Sequence, residues 1–354
     1  MTRPIPALDL AANLALAGVA ALIVVRPRHV TQIAASPLLK RAIANRLAPA
    51  PAPPPSPLTK LRELRRLARR YAPTVQAKHR RLTRATGRKL NGSAALLAFS
   101  VLTDSAVEHY RGSFQNRAMY TPLIAAAVTL GASLFGLGDT RGQKHTVRDV
   151  VYGSAAATGF TGLGFHLYNI LKRPGGWSWL NLFYAAPVGA PMALALAGLI
   201  GRGAERVRDT APLDDATVLG MPAGRMLAAV TAAGLAGTVG EAGLLHFRGA
   251  YHDPAMLLPV TIPPLASAAL AAAALRPGRT INRLARWWLR MTAVLGFAGV
   301  GFHAYGVSRN MGGWRNWSQN LLNGPPLPAP PSFTGLALAG LAALTLIEEA
   351  ETDV

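Results

Sequence analysis

Four of the eight histidines occupy equivalent places in two copies of one pattern. His166 closes the run Gly159-Phe160-Thr161-Gly162-Leu163-Gly164-Phe165, and His303 closes the run Gly296-Phe297-Ala298-Gly299-Val300-Gly301-Phe302, 137 residues later. The same offset carries His109 onto His246, Asp104 onto Glu241, and Gly175-Gly176-Trp177 onto Gly312-Gly313-Trp314. Neutral imidazole is a normal axial ligand of haem and binds Zn, Cu, Fe and Ni. Gly162 and Gly159 lie four and seven residues before His166 on one helical face, as do Gly299 and Gly296 before His303. A glycine strip beside a histidine would leave a flat slot for a porphyrin edge. Two facing histidines would hold one haem b, and four would hold two. The slot is weaker at His109 and His246, where the residues seven back are Leu102 and Val239.

Asp104 and Glu241 precede His109 and His246 by five residues, about 140° around a helix. They would join His109, His166, His246 and His303 at a metal only where two helices converge. Asp104 shares a face with Arg111, and Glu241 with Arg248, so ion pairing is the competing expectation. The plain alternative for the whole set is structural: a histidine near a helix end bonds a loop carbonyl, and glycines pack helices.

The elements that must position these groups are membrane spans. The chain has 354 residues, 51% hydrophobic and 15% charged, against roughly 25% charged in soluble domains. Apolar runs near 20 residues recur, the length that crosses a bilayer. Cysteine is absent, which excludes disulfides, thiolate metal sites and covalent c-type haem. No phosphate-binding loop, zinc-protease or nucleophile-elbow motif occurs.

The pattern predicts an all-α polytopic membrane protein of about nine helices, with a four-helix, two-hairpin unit duplicated in tandem. Residues 1–25 form an N-terminal anchor, with the apolar run at 8–25. Residues 26–90 form a basic cytoplasmic segment with 17 Lys and Arg. This segment holds a proline-rich linker at 49–57 and a basic amphipathic helix suited to anionic lipid. Residues 91–225 and 226–354 are the two repeats, the second ending in a short acidic tail. Spans fall near 91–110, 119–138, 149–171, 180–201, 226–247, 255–275, 287–306 and 333–348. Loops between hairpins carry more Arg and Lys than turns within them, which puts the N-terminus outside and the C-terminus in the cytoplasm of an inner, plasma membrane. The net charge of +21 therefore reads as topology, and nucleic acid is disfavoured.

Three functions follow. A haem- or metal-bearing redox subunit would take electrons from an extracytoplasmic partner and pass them to quinone through the histidine layer. A duplicated transporter or channel would use Asp104 and Glu241. A non-catalytic scaffold would use the 26–90 segment. The first is the leading expectation.

Overall fold

The computed structural model describes residues 57–141, 145–185, 187–210, 216–218 and 220–352. The expected anchor at 8–25 and the linker at 49–56 lie outside these residues, as do the side chains on which the amphipathic-helix reading depends. Ten helices are assigned: α1 Pro57–Arg111, α2 Thr121–Gly138, α3 Thr146–Leu171, α4 Trp179–Tyr184, α5 Gly189–Arg208, α6 Ala223–Arg248, α7 Leu258–Leu275, α8 Arg279–Arg309, α9 Trp317–Asn323 and α10 Pro331–Thr352. A two-residue hairpin, β1 Thr217–Val218 with β2 Met221–Pro222, turns on Gly220 at φ +76°.

The chain divides into two compact units. One comprises, among the described residues, those up to Arg81 and from Glu348 on; Lys78 Nζ and Glu349 Oε1 meet there at 3.3 Å. The other, Leu82–Thr210 with Asp214–Ile347, carries every candidate site residue. Its core is leucine and alanine: Leu90, Leu97, Leu227, Leu235, Leu270, Leu289, Leu336 and Leu344 are fully or almost fully buried.

Six helical stretches among the described residues are long and apolar enough to cross a membrane: Pro73–Arg111, Arg117–Gly138, Ala223–Arg248, Pro254–Leu275, Arg279–Arg309 and Pro331–Glu351. The protein is thus an all-helical membrane protein. Two expected spans fall short. Glycines and His166 lower the hydropathy of α3, and α5 carries Arg202, Glu205, Arg206 and Arg208. The expected span 180–201 is not continuous: α4 ends at Tyr184 and α5 begins at Gly189. A matching interruption separates α9 from α10, around Pro325, Pro326 and Pro328. Proline lacks the N–H that would continue a helix.

Local geometry repeats at the 137-residue offset. Asn116 caps the short turn before α2 by accepting from Ala118 N at 2.9 Å, and Asp253 accepts from Ala255 N at 2.8 Å before α7. Ser113 and Phe114 have φ of 57° and 45°; Ala250 and Tyr251 have 55° and 46°. Non-glycine residues rarely adopt such angles, so both turns hold backbone strain. After the Gly-Gly-Trp turn the offset becomes 139. Asn181 Nδ2 donates to Pro174 O and Gly176 O at 3.1 and 2.7 Å, and Asn320 Nδ2 donates to Met311 O and Gly313 O at 3.2 and 2.8 Å.

Contacts also cross between the halves. A methyl on Gly335 of α10 would lie 3.1 Å from Leu97 of α1, and one on Gly234 of α6 would lie 2.8 Å from Leu196 of α5. These are one contact with the halves exchanged, since Leu97 corresponds to Gly234 and Leu196 to Gly335.

Candidate functional site: paired histidines and a buried polar network

Each of the four histidines is tied by Nδ1 to a backbone carbonyl. His109 bonds Met119 O at 2.6 Å, His246 bonds Met256 O at 2.9 Å, and His303 bonds Pro326 O at 2.7 Å; His166 bonds Pro187 O. A carbonyl only accepts, so Nδ1 carries the proton and, in the neutral ring, Nε2 presents a lone pair. His109 and His246 thereby latch each first helix to the turn that starts the second. His166 and His303 hold the two helix interruptions, at Pro187 and Pro326. The loop-carbonyl role expected of a structural histidine is therefore present at all four.

Two of the histidines also meet ring to ring. The rings of His246 and His303 have centroids 6.5 Å apart and stand at 74°. His166 lies within electrostatic reach of His109. An Nδ1–H bond to a carbonyl that fixes ring and tautomer is the usual support of a ligating histidine. Among the described residues no three of His, Asp and Glu gather as a metal-binding group.

The glycines do something other than line a slot. A methyl on Gly159 would sit 2.4 Å from Ala195 N and 2.6 Å from Pro191 O; one on Gly296 would sit 2.8 Å from Thr334 N and 2.9 Å from Pro330 O. Gly162 and Gly299 face Pro191 and Pro330. The strips are filled by backbone and side-chain atoms of Pro191 and Ala195 in α5 and of Pro330 and Thr334 at the start of α10, because a missing Cβ lets helices approach. An open face for a porphyrin edge is not found there.

Asp104 and Glu241 are within electrostatic reach of each other. Neither makes the expected ion pair. Arg111 instead bonds Glu108 at 2.7 Å, and the Arg248 guanidinium lies 5.0 Å from the centre of the Tyr184 ring. Glu241 Oε1 accepts from Gly189 N at 3.2 Å, while its other oxygen occupies the place of a Gly189 side chain. A carboxylate at the first residue of α5 satisfies an orphan N–H and the positive end of the helix dipole.

A second cluster escaped the sequence reading, which took its arginines as topology signals. Arg148 bridges Asp139 Oδ2 at 3.0 Å and Glu205 Oε2 at 2.7 Å. Asn91 Nδ2 donates to Glu205 Oε1 at 3.1 Å, and the Tyr152 hydroxyl donates to Asn91 Oδ1 at 2.6 Å, with Ser133 Oγ at 3.2 Å. Arg208 donates to the carbonyls of Asp139 and Gly136 at 2.9 and 2.7 Å. His145 Nε2 lies 2.7 Å from Asp139 Oδ2 without hydrogen-bond alignment. Burial pushes the Asp139 carboxyl up, but the Arg141 N–H, Arg148 and Arg208 outweigh it and hold it below the usual carboxylate range.

The second half holds this network nowhere. Asn91, Ser133, Arg148 and Tyr152 correspond, 137 residues on, to Ala228, Leu270, Ala285 and Leu289. Glu205 and Arg208 correspond, 139 residues on, to Leu344 and Ile347. All six replacements are buried. One signal for the cluster was therefore in the sequence: aligning the halves shows six polar-to-aliphatic exchanges at inward positions.

No protein-family model, curated protein or solved structure matches this chain.

Proposed function

We propose that this chain is a multi-pass plasma-membrane protein of about nine spans, arisen by tandem duplication of a four-helix unit, whose two histidine pairs each hold a haem b or a transition-metal ion for electron transfer. The observation that carries the reading is the His246–His303 pair, 6.5 Å between ring centres, with both Nδ1 atoms committed to carbonyls. Both rings could then reach one bound group between them. His109 and His166 would form the equivalent centre. The glycines would set helix spacing around these pairs and would not touch the group. A bound haem or metal would supply the one-electron chemistry; the chain's own part is to fix both imidazole tautomers and to leave the two Nε2 lone pairs as the available donors. The charge asymmetry of the loops supports an N-terminus outside and a C-terminus in the cytoplasm, with the histidine layer near the extracytoplasmic face. A donor there would pass electrons to quinone in the same leaflet.

The absorption spectrum and metal content of the purified protein test this. A Soret band or stoichiometric metal is expected. His303→Ala should remove about half of it and His166→Ala with His303→Ala nearly all, since one ligand of each pair is then lost. Neither band nor metal in the intact protein would reject the proposal.

The matched interruptions at α4–α5 and α9–α10 favour a second reading, a duplicated transporter. Broken helices at corresponding positions of two halves are where transporters place substrate sites. Glu241 at the N-terminus of α5 and the nearby Asp104 would then be substrate or proton groups. Flux into liposomes should fall at least about ten-fold in the Asp104→Asn, Glu241→Gln double variant. Flux unchanged by the pair removes this reading.

A further inference from the structure

The short helices α4 and α9 each face the end of a long helix from the other half, and the two meetings differ. In one, Phe183 of α4 stacks on Phe247 of α6 with ring centroids 5.7 Å apart at 21°, and the Arg248 guanidinium lies 5.0 Å from the centre of the Tyr184 ring. In the exchanged meeting, α9 faces the end of α1. Tyr110 and Arg111 are the counterparts of Phe247 and Arg248 at the 137-residue offset, and Leu322 and Asn323 are those of Phe183 and Tyr184 at the 139-residue offset. Two aromatic rings are thus missing there. In their place a cavity of about 900 Å³ opens, lined by Tyr110, Arg111, Tyr120, Leu322 and Asn323 among others.

The lining is also more polar than its counterpart. Tyr110, Ser113 and Tyr120 bring hydroxyls to the cavity where the other half has Phe247, Ala250 and Leu257. Of the lining residues only Glu108 and Arg111 are charged, and they bond each other at 2.7 Å, so the cavity carries no net charge. Phe114, a further part of the wall, stacks on Tyr120 with centroids 4.4 Å apart at 9° and stands edge-on to His109 at 6.2 Å.

We propose that this cavity binds the headgroup of a neutral quinone. The planar ring would take the place of the absent Phe and Tyr rings, with its face against Tyr110 or the Arg111 guanidinium. The hydroxyls of Tyr110, Ser113 and Tyr120 and the amide of Asn323 would donate to its two carbonyl oxygens. A purely apolar ring would leave those donors unused, and a charged ligand would have to break the Glu108–Arg111 pair. The volume falls within the range of about 300–1,000 Å³ usual for small-ligand sites. The choice of a quinone over another neutral ring rests on the electron-transfer reading above. Through Phe114 the site adjoins His109, whereas the counterpart place near His246 is taken by the protein's own Phe183 and Tyr184. Only one of the two histidine pairs would therefore have a quinone at its side.

Isothermal titration of the full chain in lipid nanodiscs, against empty nanodiscs, with a short-tailed benzoquinone and a short-tailed naphthoquinone tests the site. Saturable binding of at least one of them is expected. Leu322→Phe with Asn323→Tyr installs the missing rings and should weaken binding about ten-fold or more, with the haem or metal content unchanged. Phe183→Leu with Tyr184→Asn opens the counterpart place instead and should leave this binding unchanged. Tyr110→Phe with Ser113→Ala keeps the shape and removes two hydroxyls, so binding should fall about ten-fold. The turn tolerates that exchange, since Ala250 holds φ of 55° where Ser113 has 57°. No saturable binding, or equal losses in the two ring-exchange variants, would overturn the proposal. Haem or metal without quinone binding would reject the site alone. Quinone binding by a protein that holds neither haem nor metal would keep the site and reject the electron-transfer reading.

Discussion

Replacing Arg148 with methionine is expected to cost about 3–5 kcal/mol, because it leaves the buried Glu205 carboxylate without its ion-pair partner and takes from Asp139 the closer of its two arginines, Arg208 remaining at 3.5 Å. Thermal unfolding in detergent micelles should report the loss as a lower Tm. The whole exchange should behave differently. Installing the second half's residues together, Asn91→Ala, Ser133→Leu, Arg148→Ala, Tyr152→Leu, Glu205→Leu and Arg208→Ile, with Asp139→Asn, removes every charge of the network and makes all but position 139 apolar. Such replacements are often neutral or stabilising by about 1–4 kcal/mol. A seven-residue variant less stable than Arg148→Met alone would show that the network supports packing in a way the other half does not need. Acid provides an independent check. Asp139 has a depressed folded pKa, so its contribution is fully present above its unfolded value of 3.8 and is lost as pH falls below that through the folded value. In Arg148→Met the stabilisation of ionised Asp139 is weaker, so the remaining acid-induced loss should shift to higher pH.

Gly159→Ala is expected to cost about 1–3 kcal/mol through overpacking, although alanine is the better helix former. The added methyl falls 2.4 Å from Ala195 N and 2.8 Å from Ala195 Cα, and backbone cannot rotate away as a side chain can. Either α3 or α5 must move. Gly153→Ala, on the same helix with nothing within 4 Å, is the control and should be neutral or slightly stabilising. The pair of variants separates close helix approach from helix propensity. A Gly159→Ala protein with unchanged Tm would mean that α3 and α5 are not held at this distance. Movement there should also disturb the His166 bond to Pro187, since Pro187 lies just before α5.

Much of the helical layout was legible because membrane spans are long and apolar, and their periodicity is weakly disturbed by side-chain detail. Residues 119–138, 226–247, 255–275, 287–306 and 333–348 lie within helical stretches; most ends differ by a few residues from those expected, and α8 begins eight residues earlier, at Arg279. The break between Tyr184 and Gly189 was missed because Ala185, Ala186, Pro187 and Val188 are apolar and do not lower hydropathy. Pro187 lies inside the expected span 180–201, whereas the helix starts two residues after it. The histidines were found by their spacing, and their pairing required the fold. Spacing says which residues share a helix face; it does not say which atom a ring uses. The glycine strips illustrate the same limit, since Gly159 beside His166 looks identical in sequence whether a cofactor or Ala195 fills the space. The Arg148 cluster was hidden by an assumption about charge, namely that arginine near a loop belongs to solvent. Comparing Arg148 with Ala285 and Glu205 with Leu344 would have exposed it.

The exchanged contacts of Leu97 with Gly335 and Leu196 with Gly234 bear on how the chain is made. Translation delivers Leu97 and Leu196 to the bilayer well before either glycine notch that receives them exists. Packing at Leu97 and Leu196 is therefore completed only once α10 and α6 have been made. Neither half thus completes its packing without the other.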